Sequence, residues 1–214
     1  MTRALLCFGD SNTHGTPPME NMSSQGRFER GVRWPSVMQA KLDPDWTVIE
    51  EGHPGRTTVH DDPIGGTHKN GIRMLPALLE THRPLDVVLI MLGTNDLQHR
   101  FGVNAIEIAL AIGKMVEMIK ASDSGVERKA PDIFLVSPPP VTQQGCLADV
   151  FEGSADNANA LSGAIANMAR QHGIPFFDAG AHIAVSPIDG VHFDAESHIK
   201  LGQAMAVAVR KFFG

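Results

Sequence analysis

The sequence predicts an α/β fold in which a parallel five-stranded sheet carries helices on both faces. Three observations predict it. Strand-like and helix-like stretches alternate five times along the 214 residues, the order that repeated βα units impose. Asp86-Val-Val-Leu-Ile-Met-Leu92 is continuously apolar after its first residue, as a strand covered on both faces must be. Several apolar runs end in short polar turns containing glycine, which is how such sheets deliver functional side chains to their carboxyl edge. The length suits one domain, 1–214, whose core needs no covalent staples.

In chain order, Ala4-Leu5-Leu6-Cys7-Phe8 forms the first strand and runs straight into Gly9-Asp10-Ser11-Asn12. Asp10 or Ser11 can cap a following helix. Ser11 also stands at a strand end where its hydroxyl can be presented, which makes it a candidate nucleophile. Thr13 to Gly31 is polar, contains Gly, Pro and Met, and keeps no helical or strand period, so it reads as a long functional loop. Trp34 to Leu42 reads as a helix with Trp34, Val37, Met38 and Leu42 on one face, stopped near Asp43-Pro44. Trp46 to Glu51 is the second strand, followed by the turn Gly52-His53-Pro54-Gly55-Arg56-Thr57-Thr58.

After an irregular stretch over 59–71, Leu75, Leu78, Leu79 and His82 mark a helix that breaks at Arg83-Pro84. The third strand, Asp86 to Leu92, delivers Gly93-Thr94-Asn95-Asp96. Asn104 and Glu107 have the spacing of a capping box for a helix reaching Ala121, with Ile108, Ile112, Met115 and Ile119 inward. Asp132 to Ser137 is the fourth strand, ended by Pro138-Pro139-Pro140. A helix from Ala155 to His172 holds Ala158, Leu161, Ile165 and Met168 in register, and Pro175 to Asp178 is a short fifth strand. After Asp189-Gly190-Val191-His192-Phe193, a closing helix turns Leu201, Met205, Val209 and Phe212 inward.

Composition narrows the function classes. With 43% hydrophobic and 20% charged residues and a formal net charge of −6, the chain has no electrostatic reason to bind nucleic acid or an anionic membrane. A neutral small molecule is the expected partner. No stretch approaches the length of a membrane span, and the N-terminal apolar run is too short for a signal-peptide core. Cys7 lies inside a strand and Cys146 in a loop, which is no disulfide framework. A cytoplasmic location is the expectation.

Ser11, Gly55 and Asn95 each follow a predicted strand, and Asp189-x-x-His192 precedes the last helix. A serine nucleophile needs a base to take its proton and an acid to orient that base, and an Asp and a His three residues apart can arrange their own hydrogen bond. A developing oxyanion needs preorganised donors, which the Ser11 and Gly55 N–H groups and the Asn95 amide can supply. Arg56 and Asp96 read as braces for these turns, Trp34 and most phenylalanines as core, and Phe151 as a residue that closes over an acyl pocket or packs on a neighbouring subunit. Two rival readings stand beside this one. His53, His60, Asp61, Asp62 and His68 could ligate a metal, although their spacing matches no zinc pattern. The strand-end turns could also cradle a ligand without turnover, although no glycine-rich phosphate loop is present.

Gly9-Asp10-Ser11, Gly55, Gly93-Thr94-Asn95-Asp96 and Asp189-x-x-His192 resemble the four sequence blocks of the SGNH (GDSL-like) hydrolases, with Asn12 where leucine usually follows the serine. Arg33-Trp34, Val48-Ile-Glu-Glu-Gly52, Arg56-Thr-Thr58, Asp61-Asp62-Pro63, Val136-Ser-Pro-Pro-Pro140, Phe151-Glu152-Gly153 and Pro175-Phe-Phe-Asp-Ala-Gly180 resemble the bacterial arylesterase/acyltransferase branch. The resemblance covers nearly the whole chain. It implies a three-layer α/β/α, flavodoxin-like fold and a serine esterase that needs no cofactor or metal. Ser11 would be nucleophile, His192 base, Asp189 its orienter, and Ser11, Gly55 and Asn95 the oxyanion hole. It further implies short acyl or aryl esters or acetylated sugars as substrates, acyl transfer to alcohols, and assembly as a homo-oligomer, an octamer in the best known case. Asn12, His14 and Thr16 stand where the branch carries bulkier apolar or aromatic residues; as substrate-binding groups they would make a wetter entrance that favours hydrolysis over transfer.

Overall fold

A computed structural model describes residues 2–214 of the chain. Its five strands, β1 (Arg3–Gly9), β2 (Trp46–Gly52), β3 (Val87–Met91), β4 (Asp132–Ser137) and β5 (Phe176–Asp178), form one parallel sheet in the order β2-β1-β3-β4-β5. Six helices, α1 (Ser11–His14), α2 (Trp34–Leu42), α3 (Gly71–His82), α4 (Ala105–Lys120), α5 (Ala155–His172) and α6 (Ala195–Phe213), connect and flank the strands.

The period-two alternation of buried strands divides the core. Leu6, Phe8, Val88, Ile90, Ile133 and Leu135 face α3, α4 and α5, while Leu5, Cys7, Val87, Leu89, Phe134 and Val136 face α2 and α6. The chain leaves β1 toward β2 and returns on the other side of β1 as β3. Strand order therefore reverses between β1 and β3, and the carboxyl ends of these two strands open the crevice where such sheets hold ligands.

The helix at 155–172 and the Asn104 capping box agree with the sequence reading, the latter with Asn104 Oδ1 accepting from Glu107 N and Glu107 Oε2 from Asn104 N. Three details differ. The loop assigned from Thr13 begins only after His14, because Asp10 caps a one-turn helix by accepting from Asn12 N at 3.0 Å. Helix α3 begins at Gly71, four residues before the apolar pattern, since its first turn packs on backbone: an added Cβ at Gly71 would lie 2.6 Å from the Thr57 carbonyl oxygen. At the chain end Phe213, not Phe212, faces inward, with Phe212 39% exposed. The four-residue step from Leu201 through Met205 and Val209 leads to position 213, and Phe212 meets the core edge-on at Phe134 and Phe213.

Candidate active site

Ser11 opens α1 directly after β1, so strand register fixes its position and the Asp10 cap fixes its direction. Gly9 must lack a side chain, because a Cβ there would meet Thr13 Oγ1 at 2.0 Å. Ser11 Oγ lies 3.1 Å from His192 Nε2, and His192 Nδ1 lies 2.7 Å from Asp189 Oδ2. Asp189 Oδ1 also accepts from Val191 N and His192 N, both at 2.9 Å, which winds the four-residue turn around its own carboxylate. Met19 N donates to Asp189 Oδ2 at 2.7 Å from the 15–33 segment. Burial pushes the Asp189 carboxyl up, but the donors from His192, Met19 and Val191 outweigh it and hold it down to about 2. This carboxylate stays charged throughout the pH range in which a histidine can accept a proton.

Asn95 follows β3. Its Nδ2 donates to the Arg56 carbonyl at 3.1 Å and approaches Asp10 Oδ2 at 3.4 Å, while its Oδ1 accepts from Gln98 Nε2 at 2.9 Å. These contacts leave the amide one orientation. Gly55 holds its turn after β2 with φ +77°, a left-handed conformation open to glycine. The Ser11 and Gly55 N–H groups have no acceptor among the described residues. Both residues, together with Asn95 and His192, border a cavity of about 370 Å³.

The braces lie beneath these turns. Arg56 Nη1 donates to the carbonyls of Gly9 (2.8 Å) and Glu51, and its guanidinium lies over the Phe8 ring at 4.2 Å. Burial lowers Arg56 to about 10, which leaves it charged. Asp96 accepts from Thr58 Oγ1 at 2.5 Å and from Thr58 N at 3.0 Å, tying the β3 turn to the β2 turn.

His14, Thr16 and Phe151 border the cavity as the sequence suggests, Phe151 beside Leu147 and Val150 on an apolar wall. Asn12 does not. It is buried, donates through Nδ2 to the Val191 carbonyl at 3.1 Å and accepts from Phe193 N at 3.1 Å through Oδ1. It clamps the His192 turn to α1, because the second position of a one-turn helix points away from the face that presents Ser11. The wetter entrance therefore reduces to His14, whose Nδ1 lies 3.1 Å from Thr16 Oγ1, and Thr16 itself. Burial first, then Arg27 and Arg33, lowers the His14 pKa.

Sequence reasoning missed Gln98 and Met19. Gln98, three residues after Asn95 on a turn that opens as a 3₁₀ helix, had a readable signal in its spacing. Met19 acts through its backbone across 170 positions, and no side-chain pattern marks such a bond. The loop histidines and acids are engaged elsewhere: Asp62 with Ile64 N, Gly65 N and Arg100, Asp61 with Asn70 and Arg73, and His53 edge-on to His68. Among the described residues no group of three or more His, Cys, Asp or Glu is arranged to hold a metal ion, and no helix is long and apolar enough to cross a membrane.

The family model described as GDSL-like Lipase/Acylhydrolase matches residues 7–199. An arylesterase from Vibrio mimicus is 38% identical over 123 residues, which are 57% of this chain and 51% of that protein; the match spans about half the length of that relative. The inhibitor-bound aryl esterase of M. smegmatis superposes with a TM-score of 0.95 at 38% identity, covering 99% of this chain and 100% of that one. A carbohydrate acetylesterase from Sinorhizobium meliloti gives the same TM-score, identity and coverage.

Proposed function

The chain belongs to the GDSL-like lipase/acylhydrolase (SGNH) family, and from that premise we propose that it is a serine esterase of small acyl esters, aryl esters included. The observation that carries the proposal is the unbroken line from Ser11 Oγ through His192 to a fully hydrogen-bonded Asp189, with Ser11 opening into the cavity.

Ser11 Oγ attacks the ester carbonyl while His192 Nε2 takes its proton, and the negative oxygen is received by Ser11 N–H, Gly55 N–H and Asn95 Nδ2. His192 returns the proton to the leaving alcohol. Water, or a second alcohol in acyl transfer, then repeats the sequence on the acyl-enzyme. Asp189 holds the ring so that Nε2 is the basic nitrogen throughout. His192 must be neutral to begin, since a protonated ring cannot take the Ser11 proton.

The cavity size and the Leu147, Val150 and Phe151 wall favour short acyl groups. The polar lining residues His14, Thr16, Ser24 and Gln25 support a second reading in which the alcohol is an acetylated sugar. The proposal extends to one domain over 1–214, a cytoplasmic enzyme without metal or cofactor, and a homo-oligomer, with an octamer suggested by resemblance.

The test is hydrolysis of p-nitrophenyl acetate near pH 8 by wild type and Ser11→Ala. A fall of roughly 10⁶-fold in kcat, as for other serine nucleophiles, supports the proposal. Equal slow turnover, with no phosphonyl adduct trapped on Ser11, would leave a ligand-binding module and overturn it.

A further inference from the structure

The segment from Gly15 to Arg33 is a strap with no regular structure of its own, yet it is tied down at both ends. Phe28 N donates to the Gly15 carbonyl at 2.7 Å, and Arg27 Nε donates to the His14 carbonyl at 2.8 Å while its Nη2 reaches Glu50 at 3.3 Å. Between these ties, Pro17 and Pro18 fix the approach of the chain to Met19. Met19 then makes three contacts with different parts of the site. Its N–H donates to Asp189 Oδ2 at 2.7 Å, its carbonyl accepts from Cys146 Sγ at 3.3 Å, and its side chain borders the cavity.

The other backbone donors to Asp189 come from inside the 189–192 turn and move with it. Among the described residues Met19 alone holds the carboxylate from outside the turn, and it holds the same oxygen that accepts from His192 Nδ1. We propose that Met19 is a positioning residue whose N–H keeps Asp189 in line with His192 while its side chain walls the cavity, so that acyl groups too bulky for the cavity are penalised in kcat as well as in KM. An oversized acyl group presses on the Met19 side chain, displaces its N–H from Asp189 and loosens the base. Cys146, next in sequence to cavity-lining Leu147, ties that lining segment to the same backbone unit. This inference rests on the triad reading above.

The test compares Met19→Ala, which keeps the N–H and widens the cavity, with Met19→Pro, which removes the N–H. For the acetyl ester, Met19→Pro is expected to lower kcat at least tenfold with a smaller change in KM, and to move the acid limb of the kcat profile to lower pH, since a carboxylate out of line with His192 stabilises the protonated ring less. Met19→Ala is expected to keep that limb and to raise kcat for butyryl relative to acetyl esters severalfold. The downfield proton resonance of His192 Nδ1 is expected to shift in Met19→Pro and stay in place in Met19→Ala. That resonance needs no ester turnover, so it reports on Met19 even if wild type and Ser11→Ala prove equally inactive. Cys146→Ala, which frees the Met19 carbonyl, is expected to shift the resonance in the same direction by less and decides the matter if Met19→Pro does not fold. An unmoved resonance in a folded Met19→Pro or, failing that, in Cys146→Ala overturns the inference, as does a loss of kcat that merely follows a loss of Tm with the acid limb unchanged.

Discussion

Asp10 and Asp189 stand at opposite ends of the Ser11–His192–Asp189 line, one beside Ser11 and one behind His192, and both are sealed from water at 1% and 0% exposure. Their surroundings drive them apart. Asp189 receives four hydrogen bonds and is held down to about 2, whereas Asp10 receives Asn12 N at 3.0 Å and a long contact from Asn95, and burial pushes it up to about 6. Burial and the donors aimed at a carboxylate set its chemistry together, and at Asp189 the donors win. The base end has a fixed negative charge, while the nucleophile end carries an acid near its titration point.

The largest way to break this contrast is Asp189→Asn. The amide presents N–H groups to Met19 N and His192 Nδ1, two donors that need an acceptor, and favours the wrong tautomer of His192. A fall in kcat of about 10⁴ on p-nitrophenyl acetate is expected, the size seen when other triads lose this charge. A fall below about tenfold would mean that Asp189 is a structural turn residue. Next is Asn95→Ala, which removes one oxyanion donor and should cost roughly 10²–10³ in kcat with KM little changed. A change confined to KM would place Asn95 in ground-state binding. Gln98→Ala acts through the orientation of Asn95, so about tenfold is expected, and in the Asn95→Ala background the same substitution should cost almost nothing. Independent, additive losses in that double-mutant cycle would show that Gln98 does not work through Asn95.

The polar blocks of the site were legible because each sits in a turn, at the end of a strand or just before the last helix. Ser11, Asn95 and the Asp189–His192 pair carry their chemistry in side chains, at spacings that the fold preserves. The strand and helix order was legible for the same reason, since burial imposes a period on apolar residues. What stayed hidden was made of backbone or of direction. Met19 contributes an N–H from a segment without period, and Asn12, a polar residue next to the nucleophile, turns inward to hold Val191 and Phe193. Phe212 and Phe213 are equivalent as composition, and only the phase of α6 at its last turn separates them.

The smallest effect on turnover and the clearest on stability belongs to Asp10→Asn. The folded pKa of Asp10 is raised from 3.8 to about 6, so its contribution to stability is fully present below 3.8 and is lost as pH rises through about 6. At pH 8 the ionised group costs the fold about 3 kcal/mol, from about 1.4 kcal/mol per pKa unit. His198 slopes the other way. Burial lowers it from 6.5 to about 4 between Phe28 and Phe193, so its contribution is complete above 6.5 and is lost as pH falls through about 4. Between pH 4 and 6 the two slopes oppose each other and flatten the wild-type profile. Asn at position 10 keeps an oxygen to accept from Asn12 N but carries no charge, so Tm of the variant minus wild type should be near zero at pH 4 and several degrees positive at pH 8, with kcat within a few-fold. A difference that stays constant from pH 4 to 8 would mean that Asp10 is as well served by donors as Asp189. A rising difference means that a charge beside the nucleophile is kept at a cost in stability.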